Sequence, residues 1–281
     1  MDSLVFAAVL LAAAAHAGWN AAIKRGLDPL VTTVLIAVGA GVVAVPIVAW
    51  AGLPAAAAWP WVIASVIVHL GYFAGLIEAY RAGDMSQVYP IARGAAPLLT
   101  ALVSTAWLGE RLGLLGWVGL LCLVGGVMML SLRGGGDLAK LDRRAVGFAL
   151  FTALTVCAYT VIDGIGVRAS GNALAYTAAA FLGNAVIMAL YGLAQRGRKL
   201  LAGPWHIWGT GLSGGALQFA SYGVALWAMT IVPIAVVAAL RETSVLFGAL
   251  IAVVVLREPL RPARVAAVAL IVAGLVMIKV H

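Results

Sequence analysis

The chain has 281 residues, of which 64% are hydrophobic and only 10% are charged, and its mean hydropathy is +1.08. A soluble protein of this length needs many more charged residues to cover its surface, so the composition excludes that class and indicates an integral membrane protein. The apolar runs are continuous rather than alternating, which favours membrane-spanning helices over barrel strands. The two cysteines, Cys122 and Cys157, lie inside apolar runs and make no case for a disulfide or a metal site.

Ten apolar segments of about 20 residues, the length that crosses a bilayer, follow one another along the chain. The first segment lacks a basic start and contains His16 and Asn20, so we interpret it as a retained span rather than a signal peptide. The sequence therefore predicts an all-α integral membrane protein with ten transmembrane helices. We place these helices near residues 3–23, 30–51, 60–80, 85–108, 112–132, 146–167, 172–194, 204–229, 233–256 and 262–280.

One sequence pattern occurs twice. QVYPIARGAAPLLTALVSTAWLGERL occupies residues 87–112, and AVVAALRETSVLFGALIAVVVLREPL occupies residues 235–260. With a register shift of 148 residues, Arg93 aligns with Arg241. The long polar connection near mid-chain contains three glycines and mixed charges, which is typical of a flexible linker. The predicted organisation is a five-helix repeat over 1–132, a linker over 133–145 and a second five-helix repeat over 146–281.

An odd number of spans in each half means that the halves lie in opposite orientations in the membrane. Basic residues mark the cytoplasmic loops. Thirteen of the 18 lysines and arginines fall on the side of the 1–2, 3–4, 5–6, 7–8 and 9–10 connections, three fall on the other side, and Arg93 and Arg241 lie within spans. This count predicts that both termini are outside. It also explains the net charge of +8 by loops that face anionic lipid, without a nucleic-acid partner.

These features resemble the EamA-type transporters of the drug/metabolite transporter superfamily. The resemblance rests on an L-G-E-x-L signal at Leu108–Leu112, its L-R-E-P-L counterpart at Leu256–Leu260, and the glycine-containing helix after each, with Gly125, Gly126 and Gly274. It covers nearly the whole chain. It implies a basket of two inverted five-helix repeats around a central cavity, and transport of small molecules such as amino acids, amines or sugars. It also implies cytoplasmic termini, whereas the count of basic residues predicts the opposite.

Arg93 and Arg241 are the leading candidates for contact with a substrate. Each lies about eight residues into its span, which at about 1.5 Å per residue is roughly 12 Å deep in a ~30 Å hydrocarbon core. An arginine there costs at least ~2.5–3.5 kcal/mol and should face a cavity or a partner. Either the two guanidinium groups bind a carboxylate or phosphonate of the substrate, or each pairs with a helix end or an acid such as Glu78 or Asp163.

Two polar pairs with a spacing of four residues extend the candidate substrate-binding surface. His16 and Asn20 share one face of the first span, and Tyr159 and Asp163 share one face of the sixth, the matching span of the second repeat. Their recurrence favours cavity lining, although hydrogen bonds between helices, worth ~0.6 kcal/mol on average, would give the same pattern. Three further aromatic residues belong to this predicted surface: Tyr72, Tyr222 and Trp227.

Ionisable groups inside the predicted spans are candidates for carrying a proton during a transport cycle. We rank Asp163 and Glu242 above Glu78, because Glu78 stands three residues before Arg81 near a span end and can pair with it at the interface. Isolated histidines in apolar segments are more often hydrogen-bonded core residues. The two histidines considered are His16 and His69.

Glu110 and Glu258 close the two copies of the repeated stretch, just before the fifth and tenth spans. A carboxylate before a helix and a proline in its first turn both favour helix initiation, and Pro259 follows the second glutamate. We therefore interpret these two glutamates as structural.

Taken together, these patterns favour a secondary transporter that moves a small anionic or zwitterionic, amino-acid-like metabolite by alternating access, with export favoured over uptake. The sequence contains no Walker motif or HExxH pattern, so we expect neither a cofactor nor an enzyme. The alternatives are an intramembrane enzyme and a non-transport membrane subunit, which would leave the repeated buried arginines unexplained. We expect a multi-pass protein of the bacterial cytoplasmic membrane, with its substrate, protons and lipid as partners and its oligomeric state open.

Overall fold

A computed structural model describes residues 1–23, 28–82, 85–132, 143–197, 205–254 and 262–280. These residues are helical apart from short turns, which confirms the predicted all-α class. In chain order the helices are α1 (Ser3–Ile23), α2 (Pro29–Ala51), α3 (Trp59–Ala82), α4 (Met85–Trp107), α5 (Leu114–Leu132), α6 (Arg143–Ser170), α7 (Ala173–Arg196), α8 (Trp205–Met229), α9 (Ile234–Arg241), α10 (Ser244–Val254) and α11 (Pro262–Val280). A short 3-10 helix, Ala56–Ala58, precedes α3.

Several of the described helical segments are long and apolar enough to cross a membrane. Within the described residues these are Leu30–Ala51, Ala56–Gly75, Arg143–Ser170, Ala173–Arg196 and Pro262–Val280, and two shorter apolar segments are Ser3–Ala17 and Leu114–Leu130. The structure thus agrees with an all-helical protein that crosses the membrane several times. The count of ten spans and their inverted arrangement stay predictions.

The ninth predicted span, 233–256, differs from its prediction because it consists of two helices. Between α9 and α10 the backbone bonds reach back three residues rather than four: Glu242 N–H donates to the Ala239 carbonyl and Thr243 N–H to the Leu240 carbonyl, both at 3.1 Å. The Thr243 hydroxyl also donates to the Leu240 carbonyl at 2.6 Å. A hydroxyl that binds the backbone competes with the regular helical ladder, and a tightened turn results.

The helices form two compact units, and each unit draws on both halves of the sequence. Unit 1 comprises Met1–Ala14, Gly71–Val161 and Val232–His281, and unit 2 comprises Ala15–Leu70 and Ile162–Ile231. Three helices, α1, α3 and α6, contribute residues to both units. The compact units are therefore not the two sequence repeats, whose predicted boundary lies in the linker.

Glycines allow close helix packing within each unit. In unit 1, a Cβ added to Gly119 of α5 would lie 2.9 Å from the carbonyl oxygen of Gly274 in α11. In unit 2, a Cβ added to Gly39 of α2 would lie 2.3 Å from the carbonyl oxygen of Gly211 in α8. Membrane helices pack through small residues because van der Waals contact, rather than the hydrophobic effect, holds them together. Larger residues at these positions would force the helices apart.

Glu110 has a structural contact, but at a different helix from the one expected. Its two carboxylate oxygens lie 3.1 and 2.9 Å from the backbone N–H of Ile234, the first residue of α9. Pro233 precedes α9 and offers no side-chain cap. The Glu110 carboxylate therefore satisfies an otherwise unpaired N–H group at the positive end of the α9 dipole, not at the start of α5. Glu258 lies outside the described residues.

Candidate functional site

Unit 1 contains a small cavity of about 10 Å³, room for roughly one water molecule, between α4, α6 and the end of α9. Its charged lining consists of Arg93, Arg241 and Glu242. Its hydroxyl lining consists of Thr100, Tyr159 and Thr160, and its apolar lining of Ala96, Pro97, Val156 and Ala238. The two arginines that align in the repeated sequence thus lie at the same cavity.

Arg93 forms an ion pair with Glu242, whose carboxylate oxygen lies 2.9 Å from the guanidinium Nε. The two side chains are 14% and 6% exposed, and a second guanidinium nitrogen of Arg93 donates to the Ser244 hydroxyl at 3.2 Å. Glu242 is therefore an acidic partner of Arg93 that the sequence analysis did not suggest. Of the two acids that it did suggest, Asp163 accepts hydrogen bonds from tyrosines instead.

Both guanidinium groups at the cavity, those of Arg93 and Arg241, act electrostatically on the Glu242 carboxylate. The register that aligns the two arginines places Gly94 opposite Glu242, so this carboxylate has no counterpart at the matching position of the first repeat.

The comparisons with known proteins agree with this architecture. The model of the EamA-like transporter family matches residues 3–132 and 143–280. The chain belongs to this family. One solved structure, titled only "Crystal structure of protein", is similar with a TM-score of 0.78 and 19% identity over 99% of both chains, which shows a shared fold alone. A search of curated proteins found no match.

Membership in the EamA-like family makes this chain a multi-pass membrane transporter of the drug/metabolite transporter superfamily. Members of this family are transporters rather than enzymes. The two matched ranges leave out residues 133–142, which belong to the polar linker predicted from the sequence. Neither the substrate nor the direction of transport follows from the family.

Unit 2 of this EamA-like transporter contains a second polar cluster, centred on Asp163 in α6. Asp163 is fully buried, and its two carboxylate oxygens accept hydrogen bonds from the hydroxyls of Tyr176 at 2.9 Å and Tyr222 at 2.5 Å. The His69 ring lies edge-on to Tyr222 with 6.3 Å between centroids, and its Nδ1 is 2.9 Å from the Ser65 carbonyl oxygen. Among the described residues, Asp163 is held by neutral donors and has no basic partner.

The predicted polar face of the sixth span is divided between the two units. Tyr159 lines the unit 1 cavity, where its ring packs edge-on against Tyr72 at 5.7 Å between centroids. Asp163, four residues later, belongs to the unit 2 cluster together with Tyr222. Tyr72 and Tyr222, both predicted to line one cavity, therefore have different surroundings.

The remaining predicted site residues do not line the unit 1 cavity. His16 in α1, Glu78 in α3 and Trp227 in α8 are each half-buried. The side chain of Asn20 lies outside the described part of the structure. Substrate binding by His16, Asn20 and Trp227, and proton carriage by Glu78, thus stay predictions.

The sequence analysis missed several groups that the structure brings to these two regions. Ser244 went unnoticed because a continuous ninth helix would separate it from Arg93. Tyr176 had a usable signal, since the Gly171-Asn172 turn joins two long apolar helices into a hairpin and returns the chain past Asp163. Two hydroxyl groups at the cavity were also missed, those of Thr100 and Thr160.

Proposed function

We propose that this protein is a secondary transporter of a small anionic or zwitterionic, amino-acid-like metabolite in the bacterial cytoplasmic membrane. It works by alternating access and exports its substrate. Membership in a family of transporters supports the general activity. The observation that carries the substrate class is the lining of the unit 1 cavity, where the guanidinium groups of Arg93 and Arg241 lie together with hydroxyl groups. Guanidinium groups are suited to binding a carboxylate of the substrate.

Arg241 is the arginine to test first, because its substitution leaves the ion pair of Arg93 and Glu242 in place. A guanidinium group binds a carboxylate through two parallel hydrogen bonds, which fixes the orientation of the substrate. The hydroxyls of Tyr159, Thr100 and Thr160 line the same cavity and supply further hydrogen-bonding groups.

Glu242 provides a route for coupling transport to protons. Its carboxylate occupies Arg93 in the way that a substrate carboxylate would, so Glu242 and the substrate compete for the same guanidinium. A proton on Glu242 would weaken its pairing with Arg93, so the protonation of this group would change the affinity of the cavity for its substrate. Under this proposal Glu242 is the first coupling residue to test, followed by Asp163 and Glu78.

The experiment is a ligand-induced thermal shift on the purified protein, with amino acids, amines, organic acids and phosphonates as ligands. We expect a carboxylate-bearing compound to raise the melting temperature of the wild type and to have little effect on Arg241→Gln. This substitution leaves the pair of Arg93 and Glu242 in place, so the variant should fold. The matched control is Arg111→Gln, which removes an exposed arginine of the same unit.

Two outcomes would contradict the proposed function. The first is a ligand that stabilises Arg241→Gln and the wild type equally, which would move the binding site away from the cavity. The second is stabilisation by amines alone. Counterflow in reconstituted vesicles, with the identified ligand on one side, would then measure transport itself and its direction.

A further inference from the structure

Two amide side chains in unit 2 take no part in the proposed substrate site. Asn184 of α7 is 8% exposed, and Gln218 of α8 is half-buried. The carbonyl oxygens of both amides are buried without a hydrogen-bond partner. In the part of the chain that the structure describes, neither side chain makes any other hydrogen bond. Because native proteins pair nearly all buried polar groups, two unpaired amides indicate a missing partner.

The packing of α7 on α8 brings the two amides to the same level. The Phe181 ring packs against Phe219 at 5.3 Å and Tyr222 at 6.0 Å between centroids. Asn184 lies one turn after Phe181, and Gln218 lies one turn before Tyr222. Because α7 and α8 run antiparallel, the step forward from Phe181 to Asn184 and the step back from Tyr222 to Gln218 point in the same direction in space. The two unpaired oxygens therefore lie at a similar level along the two helices.

The surroundings of this region are rich in hydrogen-bond acceptors. Gln218 lies one turn from Tyr222, which donates its hydroxyl proton to the buried Asp163 carboxylate. The described arginines of unit 2 are bound elsewhere: Arg168 donates to the Met229 carbonyl at 2.8 Å, and Arg196 pairs with Asp28. The other titratable groups around Asp163 are Tyr176 and His69. A carboxylate and two unpaired carbonyl oxygens favour a positively charged partner.

We propose that Asn184 and Gln218 form a binding site for a small monovalent cation beside the Asp163 cluster. The cation is either an alkali-metal ion or the ammonium group of a small amine, because both bind through carbonyl oxygens. This site is independent of the arginine cavity of unit 1. Its ligand is a cation rather than a carboxylate, and its residues lie in α7 and α8.

The test is a thermal unfolding series on the full chain in detergent, at constant ionic strength. Sodium chloride, potassium chloride and methylammonium chloride are each compared with N-methylglucamine chloride, whose cation is too large for the site. We expect at least one small cation to raise the melting temperature in a saturable way. A response to sodium or potassium alone identifies a metal-ion site, and a response to methylammonium alone identifies a site for amines. The same melting temperature in all four salts would overturn the proposal.

The matched variants separate the site from general salt effects. Asn184→Leu combined with Gln218→Met removes both acceptors at nearly constant volume, so it should abolish the cation response. The control Gln195→Met changes an exposed glutamine of α7, the helix of Asn184, and should keep the full response. A double variant that still responds like the wild type would overturn the proposal.

A gain-of-affinity variant tests the site even if the double variant does not fold. Gln218→Glu places a carboxylate where the amide oxygen lies. If a cation binds there, the half-saturating concentration should fall by roughly tenfold or more, because a full negative charge replaces a dipole. An unchanged half-saturating concentration would contradict cation binding at Gln218.

Discussion

The two polar regions of this transporter stabilise a buried carboxylate in opposite ways. In unit 1, Glu242 faces the guanidinium of Arg93 at 2.9 Å, with Arg241 at the same cavity. In unit 2, Asp163 accepts hydrogen bonds from two tyrosine hydroxyls, and no basic side chain pairs with it among the described residues. The first carboxylate is therefore held by charged groups and the second by neutral hydroxyl groups.

This difference matters because the two arrangements respond differently to a ligand. A substrate anion can replace one carboxylate at an arginine, since an ion pair is held by charge and the charges are interchangeable. Hydrogen bonds from tyrosines have fixed directions, so Asp163 is oriented rather than exchangeable. We infer that the unit 1 region suits an anion that binds and leaves, whereas the unit 2 region suits a proton or a small cation.

The largest effect should come from removing one member of the ion pair. Arg93→Ala leaves the Glu242 carboxylate, which is 6% exposed, without its closest positive partner. We expect a loss of about 3–5 kcal/mol in the free energy of unfolding, measured by denaturation in mixed micelles. Adding Glu242→Gln should recover a large part of that loss, because the uncompensated charge is then absent. A double variant as unstable as Arg93→Ala would show that the pair is not coupled in this way.

The hydrogen-bonded cluster should give a smaller effect. Tyr222→Phe removes one donor to the Asp163 carboxylate and should cost about 1.5–3 kcal/mol, the value for a hydrogen bond to a charged group. Tyr176→Phe removes the other donor and is the matched variant. Equal losses in both variants would agree with a carboxylate held symmetrically. No measurable loss in either would mean that the hydroxyls do not stabilise Asp163.

The cap on α9 should contribute less again, although it supports the helix that carries Arg241. Glu110→Ala removes the acceptor for the Ile234 N–H and should cost about 0.5–2 kcal/mol. Glu110→Gln keeps an acceptor oxygen but loses the charge, so its cost should be lower. If Glu110→Gln costs as much as Glu110→Ala, the interaction is one of charge rather than of hydrogen bonding.

The smallest effect is expected at the surface of unit 2. Arg196 and Asp28 form an ion pair whose side chains are 45% and 40% exposed, so Arg196→Gln should change stability by at most ~1 kcal/mol and by less at high salt. Asp28→Ala should cost more, because Asp28 also caps α2 by accepting from the Leu30 N–H at 2.9 Å. Equal effects of the two substitutions would argue against the capping role.

Much of the fold was predictable from the sequence because the relevant signals are local. Continuous apolar runs of membrane length give helices wherever they occur, since the backbone must satisfy its own hydrogen bonds in lipid. The L-G-E-x-L signal of the duplicated stretch, its counterpart in the second copy and the glycine-containing helices after them carried the EamA-like resemblance, which the family match confirms. The alignment of Arg93 with Arg241 also identified two residues that the structure places at one cavity.

The partners of these groups depended on the tertiary structure. Arg93 and Glu242 are 149 positions apart, and they meet because α9 ends at Arg241 and the chain turns before α10. Asp163 and Tyr222 are separated by 59 positions, and helix packing within unit 2 brings them together. The sequence by itself therefore determined which charges are buried, because hydrophobic length is a property of the chain. Only the tertiary structure decided how they are paired, because pairing depends on contacts between helices that are distant in sequence.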